Sequence, residues 1–172
     1  SFASAFRSCD SIKANLTVWG INSNVDGLQG IEHIGGSLSI RESSMQPDLT
    51  GLSNVHSIQS SLSFLNLNVV TLQGLHNVDS IGGHLNITNL NHLSNLDELS
   101  SLQYVNGDIN IRDNDSLVSI AGLGNIDAEA INLLHLQNNN LLSLCSNPMV
   151  CNYLSDPGNP YTILNNDPGC NS

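Results

Sequence analysis

The stretch Gly82–Leu90, GGHLNITNL, decides how this 172-residue chain is read, because the same short phrase returns with drift along its length. It stands as GGSLSIRES from Gly35, QSSLSFLNL from Gln59, NGDINIRDN from Asn106 and, less regularly, AINLLHLQNN from Ala130. Self-similarity at a fixed period is the signature of a repeat architecture. Aligned on the turn before each phrase, Gly27, Gly51, Gly74, Glu98 and Gly122 are equivalent, and they follow one another by 24, 23, 24 and 24 residues.

An apolar ladder runs through each unit. Leu28, Leu52, Leu75, Leu99 and Leu123 form its first rung, and Ile31, Val55, Val78, Leu102 and Ile126 its second. Ile34, Ile58, Ile81 and Val105 follow, and inside the phrase come Leu38 and Ile40, Leu62 and Phe64, Leu85 and Ile87, Ile109 and Ile111, and Leu134 and Leu136. Alternation at i and i+2 marks a half-buried strand. One unit of this length cannot bury its own apolar residues, but unit stacked on unit closes a continuous core. The expected fold is therefore an all-β solenoid of about six coils of 23–24 residues, meeting as parallel strands at ~4.8 Å spacing. Gly35-Gly36, Gly82-Gly83 and Asn106-Gly107 fall where the coil must turn, and suit a corner that needs positive φ or close backbone approach. They are not a phosphate cradle, since no helix follows and no Lys accompanies them.

Residues 1–172 read as one domain. Ser1–Cys9, with Phe2 and Phe6 four apart, suits a short amphipathic helix capping the first coil, or equally the tail of a longer helix. Coils occupy residues 10–144, and a cap occupies 145–172. The sixth coil holds one extra residue, which suggests a bulge before the cap. In the cap, Asn147-Pro148 reads as an N-cap and first helical residue, MVCNYL as a short helix, and Tyr161–Leu164 as a last strand.

A net charge of −11 with only four basic residues, Arg7, Lys13, Arg41 and Arg112, excludes a phosphate-neutralising surface and hence nucleic-acid binding. Charged residues are 11% of the chain, and Asn and Ser, roughly a quarter of it, build the surface instead. That neutral polar face fits an extracellular or cell-surface protein. No apolar run approaches the ~20 residues of a membrane span, so no membrane insertion is expected, and no signal-peptide core is visible, as in a mature product or an excised domain. One disulfide among Cys145, Cys151 and Cys170 is expected, either Cys151–Cys170 or Cys145–Cys170, while Cys9 lies too far away along the stack.

The repeats LQGLHNVDSIGGHLNITNL from Leu72, LTGLSNVHSI from Leu49 and IRDNDSLVSIAGLGNI from Ile111 resemble the receptor L domain family, as do LCSNPMVCNYL from Leu144 and GCNS from Gly169. The form they are closest to is the regular one of bacterial, Bacteroidetes-type, surface or secreted proteins. The resemblance covers nearly the whole chain and implies a leucine-rich, right-handed β-helix. It carries over no catalytic motif, because members of the family bind diverse partners.

Residues alternating with the inward ones project from the long strand face. Trp19, Arg41, Leu65 and Arg112 stand in one column of it, an exposed aromatic and an exposed leucine beside two of the four basic residues, as recognition surfaces often combine. Thr88 shares that column, and His84, Asp108 and His135 share the face. His84, Asp108 and Arg112 are placed near one another there, but no partnered nucleophile or metal-ligand spacing surrounds them. Asp113–Asp115 lacks the ligand spacing of a calcium loop and reads as a polar corner. Asn15, Asn86 and Asn114 each open a glycosylation tripeptide.

These residues point to a non-enzymatic extracellular binding or adhesion module that recognises a protein or a glycan, with no cofactor and no metal. The alternative is a passive spacer in a surface protein. An ice-binding solenoid would want a regular Thr array, and a polysaccharide-cleaving β-helix enzyme would want a carboxylate pair on the exposed face.

Overall fold

The computed structural model describes residues 9–20 and 24–170, and they are mostly short parallel strands. Short and long strands alternate along the chain as far as its tenth strand, and two more long ones follow. The short ones are β1 (Ser11–Ile12), β3 (His33–Ile34), β5 (Ser57–Ile58), β7 (Ser80–Ile81) and β9 (Tyr104–Val105). They pair in that order into a five-stranded parallel sheet. The long ones are β2 (Leu16–Trp19), β4 (Leu38–Ser43), β6 (Leu62–Leu67), β8 (Leu85–Thr88), β10 (Ile109–Arg112), β11 (Leu134–Gln137) and β12 (Tyr161–Leu164). They form a seven-stranded parallel sheet with β2 and β12 at its edges. Each strand lies beside its equivalent from the next repeat, so Leu38, Leu62, Leu85, Ile109 and Leu134 are register partners.

The period in the sequence causes this pairing. Every ladder residue is buried, none more than 4% exposed. A further column joins them: Val25, Leu49, Leu72, Leu96 and Ile120 are equally buried, and all but Leu72 directly precede a 3-10 turn. Side-chain oxygens of Asn24, Asp48, Asn95 and Ser119 accept the backbone N–H two residues on and so set the entry to those turns.

A second device lies at the end of each long strand, one residue before the last in β4 and β6 and just past the last in the others. Glu42, Asn66, Asn89, Asp113, Asn138 and Asn165 all have φ between 55° and 59°, with Gly20 at 60°. One left-handed residue per repeat turns the chain out of the sheet, and Asn, Asp and Gly tolerate that conformation best. Glycine pairs before the strands act differently. Gly36 and Gly82 have negative φ, and they are needed because a Cβ would stand 2.3 Å from Asn15 Oδ1 and 2.2 Å from the Gln59 carbonyl oxygen. Of the two roles open to those corners, close approach is the one they fill.

The extra residue of the sixth repeat makes no bulge. β11 keeps strict register with β10, and the added length is taken up in a 3-10 turn at Ala128–Ala130, where the Asp127 side chain accepts from the Glu129 N–H at 3.1 Å. That turn follows Asp127, whose N–H still bonds the Gln103 carbonyl, so it stands where a sixth short strand would.

The only α-helix among the described residues is α1 (Pro148–Leu154). Asn147 caps it, its Oδ1 accepting from the Val150 N–H at 3.0 Å, and proline fills the first helical position. Of the two pairings open to the sequence, Cys145–Cys170 forms, with Cα atoms 5.7 Å apart, and Cys9 and Cys151 are free and exposed. The helix expected over residues 1–9 falls almost wholly outside the described residues. Among the described residues no helix is long and apolar enough to cross a membrane.

Candidate functional site

Outward residues of the seven-stranded sheet fall into three rows, because parallel strands in register put equivalent side chains side by side. The outer row is Trp19, Arg41, Leu65, Thr88, Arg112, Gln137 and Leu164. The middle row is Thr17, Ser39, Ser63, Asn86, Asn110, His135 and Thr162. Just before the strands lie Asn15, Ser37, Ser61, His84 and Asp108, knit by backbone bonds such as Leu62 N–H to the His84 carbonyl and Leu85 N–H to the Asp108 carbonyl, each 2.9 Å.

Trp19, Arg41, Leu65, Thr88 and Arg112 thus stand on consecutive strands in one line, as the column read from the sequence has them. Trp19 is 66% exposed. The Arg41 guanidinium carbon lies 6.0 Å from its ring centroid, and Arg41 Nε donates to Ser39 Oγ at 2.6 Å, so the pair is held as a unit. Leu65 is half-buried where the sequence reading expected it exposed, because an interior strand flanks its side chain with neighbours on both sides. Arg112 Nε is shielded from solvent and has no hydrogen-bond partner.

His84 and Asp108 do adjoin. His84 Nδ1 accepts the Asp108 N–H at 2.9 Å and lies 3.3 Å from Asp108 Oδ2. Arg112 is not with them. It lies four residues further along the strand, ~13 Å away at ~3.3 Å per residue. The expected cluster of three is therefore a pair and a distant third.

His135 sits in the middle row with Nε2 2.8 Å from Gln137 Oε1. Farther along, Asn110 Nδ2 donates to Asn86 Oδ1 at 3.0 Å and Asn86 Nδ2 to Ser63 Oγ at 3.0 Å. These bonds fix the amides in one orientation and leave each a free N–H. Asn86, the glycosylation candidate on this face, is half-buried in that ladder, and Asn114 is fully buried, whereas Asn15 is exposed.

Gln137 continues the outer row where the strand alternation puts it, whereas Leu164 at its end, and a buried ladder behind the face, were not foreseen from the sequence. Leu67 and Leu90 are followed in their column by Asn114, Asn139 and Asn166, of which Asn114 and Asn139 are 0% exposed. The Leu90 N–H donates to Asn114 Oδ1, the Asn114 N–H to Asn139 Oδ1 and the Asn139 N–H to Asn166 Oδ1, at 2.9, 3.2 and 3.1 Å. Each Nδ2 donates back to a strand carbonyl, of Ile87, Ile111 and Leu136, so no buried amide is left open. Recurrence of Asn one left-handed residue after each strand was the available signal.

Among the described residues no group of three or more His, Cys, Asp or Glu is placed to hold a metal ion. Compared with protein-family profiles, with curated proteins and with solved structures, the chain matches none.

Proposed function

We propose that this chain is a non-enzymatic, extracellular or cell-surface binding module that recognises a protein or a glycan through the seven-stranded face. The carrying observation is the outer row, where an exposed tryptophan braced by Arg41 begins a line of aligned side chains that ends with Leu164. Exposed aromatic and arginine side chains on a rigid scaffold are the usual anchors of recognition. Asp108 is the sole carboxylate in the rows described, which disfavours the paired-carboxylate chemistry of glycoside cleavage.

In this reading the two sheets and the turns between them wind as one right-handed solenoid of the receptor L domain kind. Equivalent strands pairing one repeat apart in both sheets support the winding. A cystine in the cap supports an oxidising compartment. The test is capture on arrays of extracellular proteins and glycans, with the Trp19→Ala, Arg41→Ala, Arg112→Ala triple variant alongside. Binding lost in the variant is expected. Binding that survives in it moves recognition to another surface, and silence from both proteins favours a passive spacer.

A further inference from the structure

We infer that the occupant of this face is a carboxylate-bearing glycan chain lying across the strands, an inference that rests on the binding role proposed above. The chain has 15 acidic and four basic residues, yet the outer and middle rows hold Arg41 and Arg112 and not one carboxylate. Neither guanidinium has an ion-pair partner among the described residues, where the two close acid–base contacts both belong to histidines. Arg112 Nε, shielded and without a partner, is a donor that an incoming acceptor would satisfy once the side chain shifts. A fork of N–H donors is matched to a carboxylate.

The rest of the face argues for sugar over peptide. Trp19 is the one largely exposed aromatic at this end, Leu65 is half-buried, and Leu164 stands at the far edge. So there is no central apolar patch of the kind a protein interface buries. In its place the middle row offers a preset line of amides and hydroxyls, Ser63, Asn86 and Asn110, each with hydrogen-bonding capacity unspent. Rows advance by ~4.8 Å per strand, close to the advance of one sugar in an extended chain, and Arg41 and Arg112 are three strands or ~14 Å apart. An extended glycan therefore sets one ring over each strand and brings carboxylates on separate rings to the two guanidiniums, with Trp19 left to stack on a further ring.

Calorimetric titration with eight-sugar oligogalacturonate, oligomannuronate and oligoglucuronate, the methyl ester of each and an eight-residue Glu peptide tests this. At least one uronate binds, its methyl ester binds about tenfold or more weaker, and Arg41→Gln and Arg112→Gln each weaken the acid form by about tenfold while sparing the ester. Unchanged melting temperatures of the two variants exclude misfolding as the cause. Equal affinity for acid and ester, or a Glu peptide that binds as tightly as the best uronate, overturns the inference. If no uronate binds but another partner is captured through Trp19, this inference fails and the binding role stands. If nothing binds through the face, both fail.

Discussion

Replacing Asn139 by alanine should be among the most costly single changes in the molecule, although it removes only a small polar side chain. Asn139 is 0% exposed. Its Oδ1 accepts the Asn114 N–H at 3.2 Å and its Nδ2 donates to the Ile111 carbonyl at 3.0 Å. Alanine leaves the Asn114 N–H buried without a partner, at ~1–3 kcal/mol, and takes from the Ile111 carbonyl, which lies inside the sheet, a second hydrogen bond worth ~0.5–1.5 kcal/mol, so the two together give about 1.5–4.5 kcal/mol. Total stabilities of ~5–15 kcal/mol make that a large fraction. Urea unfolding followed by far-UV circular dichroism reads it as a drop in midpoint, and hydrogen exchange should show the Leu90 to Cys170 region opening first. The nearby Asn140→Ala is the control: Asn140 is exposed, and its Nδ2 bonds the Asp115 side chain at 2.7 Å. A loss under ~1 kcal/mol for Asn139→Ala would mean that water reaches the ladder and that its bonds do not hold the last repeats together.

Other consequences are as direct. Glu42 has φ 56° where its equivalents are Asn, Asp or Gly, so Glu42→Asn should raise stability by ~1 kcal/mol in thermal melts while keeping an acceptor for Asn66 Nδ2. An unchanged or lower melting temperature would refute the strain. The Cys145–Cys170 bond spans 25 residues, so Cys145→Ser with Cys170→Ser should cost ~3–4 kcal/mol in denaturant, whereas Cys151→Ser should cost almost nothing. Burial holds the Tyr153 phenol above its ordinary value of 10.0, with a smaller push from the Asp108 charge, while a backbone hydrogen bond at Leu134 opposes both. A folded-state pKa above the unfolded one means that stability is intact below pH 10.0 and is lost as pH rises through the folded value. Tyr153→Phe should flatten that alkaline loss in melts recorded from pH 9 to 12, and Tyr161→Phe, at an exposed site, should not.

Much of the fold was legible because its period is written in apolar residues, which only burial explains. Rungs such as Leu85 and Ile87 repeat in type as well as in spacing, and parallel pairing turns spacing into register. The outer row from Trp19 to Arg112 followed from the same register. What stayed hidden depends on context. Asn114 and Asn139 read as surface residues, because asparagine is mostly exposed and only a partner ladder makes its burial tolerable. The half-burial of Leu65 depends on flanking strands, and the extra residue near Ala128 read as a bulge because the side-chain capping by Asp127 that takes it up in a turn has no signature in the repeat. Cys145 and Cys151 were equivalent on paper, since only the packing of α1, which carries Cys151, decides which of them faces Cys170.

Trp19 is the sole tryptophan of the chain and stands in the outer row, so its fluorescence reports on the face without a label. The decisive measurement is its emission during titration with any partner whose binding is established by calorimetry. A saturable blue shift or intensity change, with the calorimetric Kd and abolished affinity in Trp19→Ala, is the expected result. Calorimetric binding that leaves Trp19 emission unchanged would place recognition elsewhere and contradict the assignment of this face.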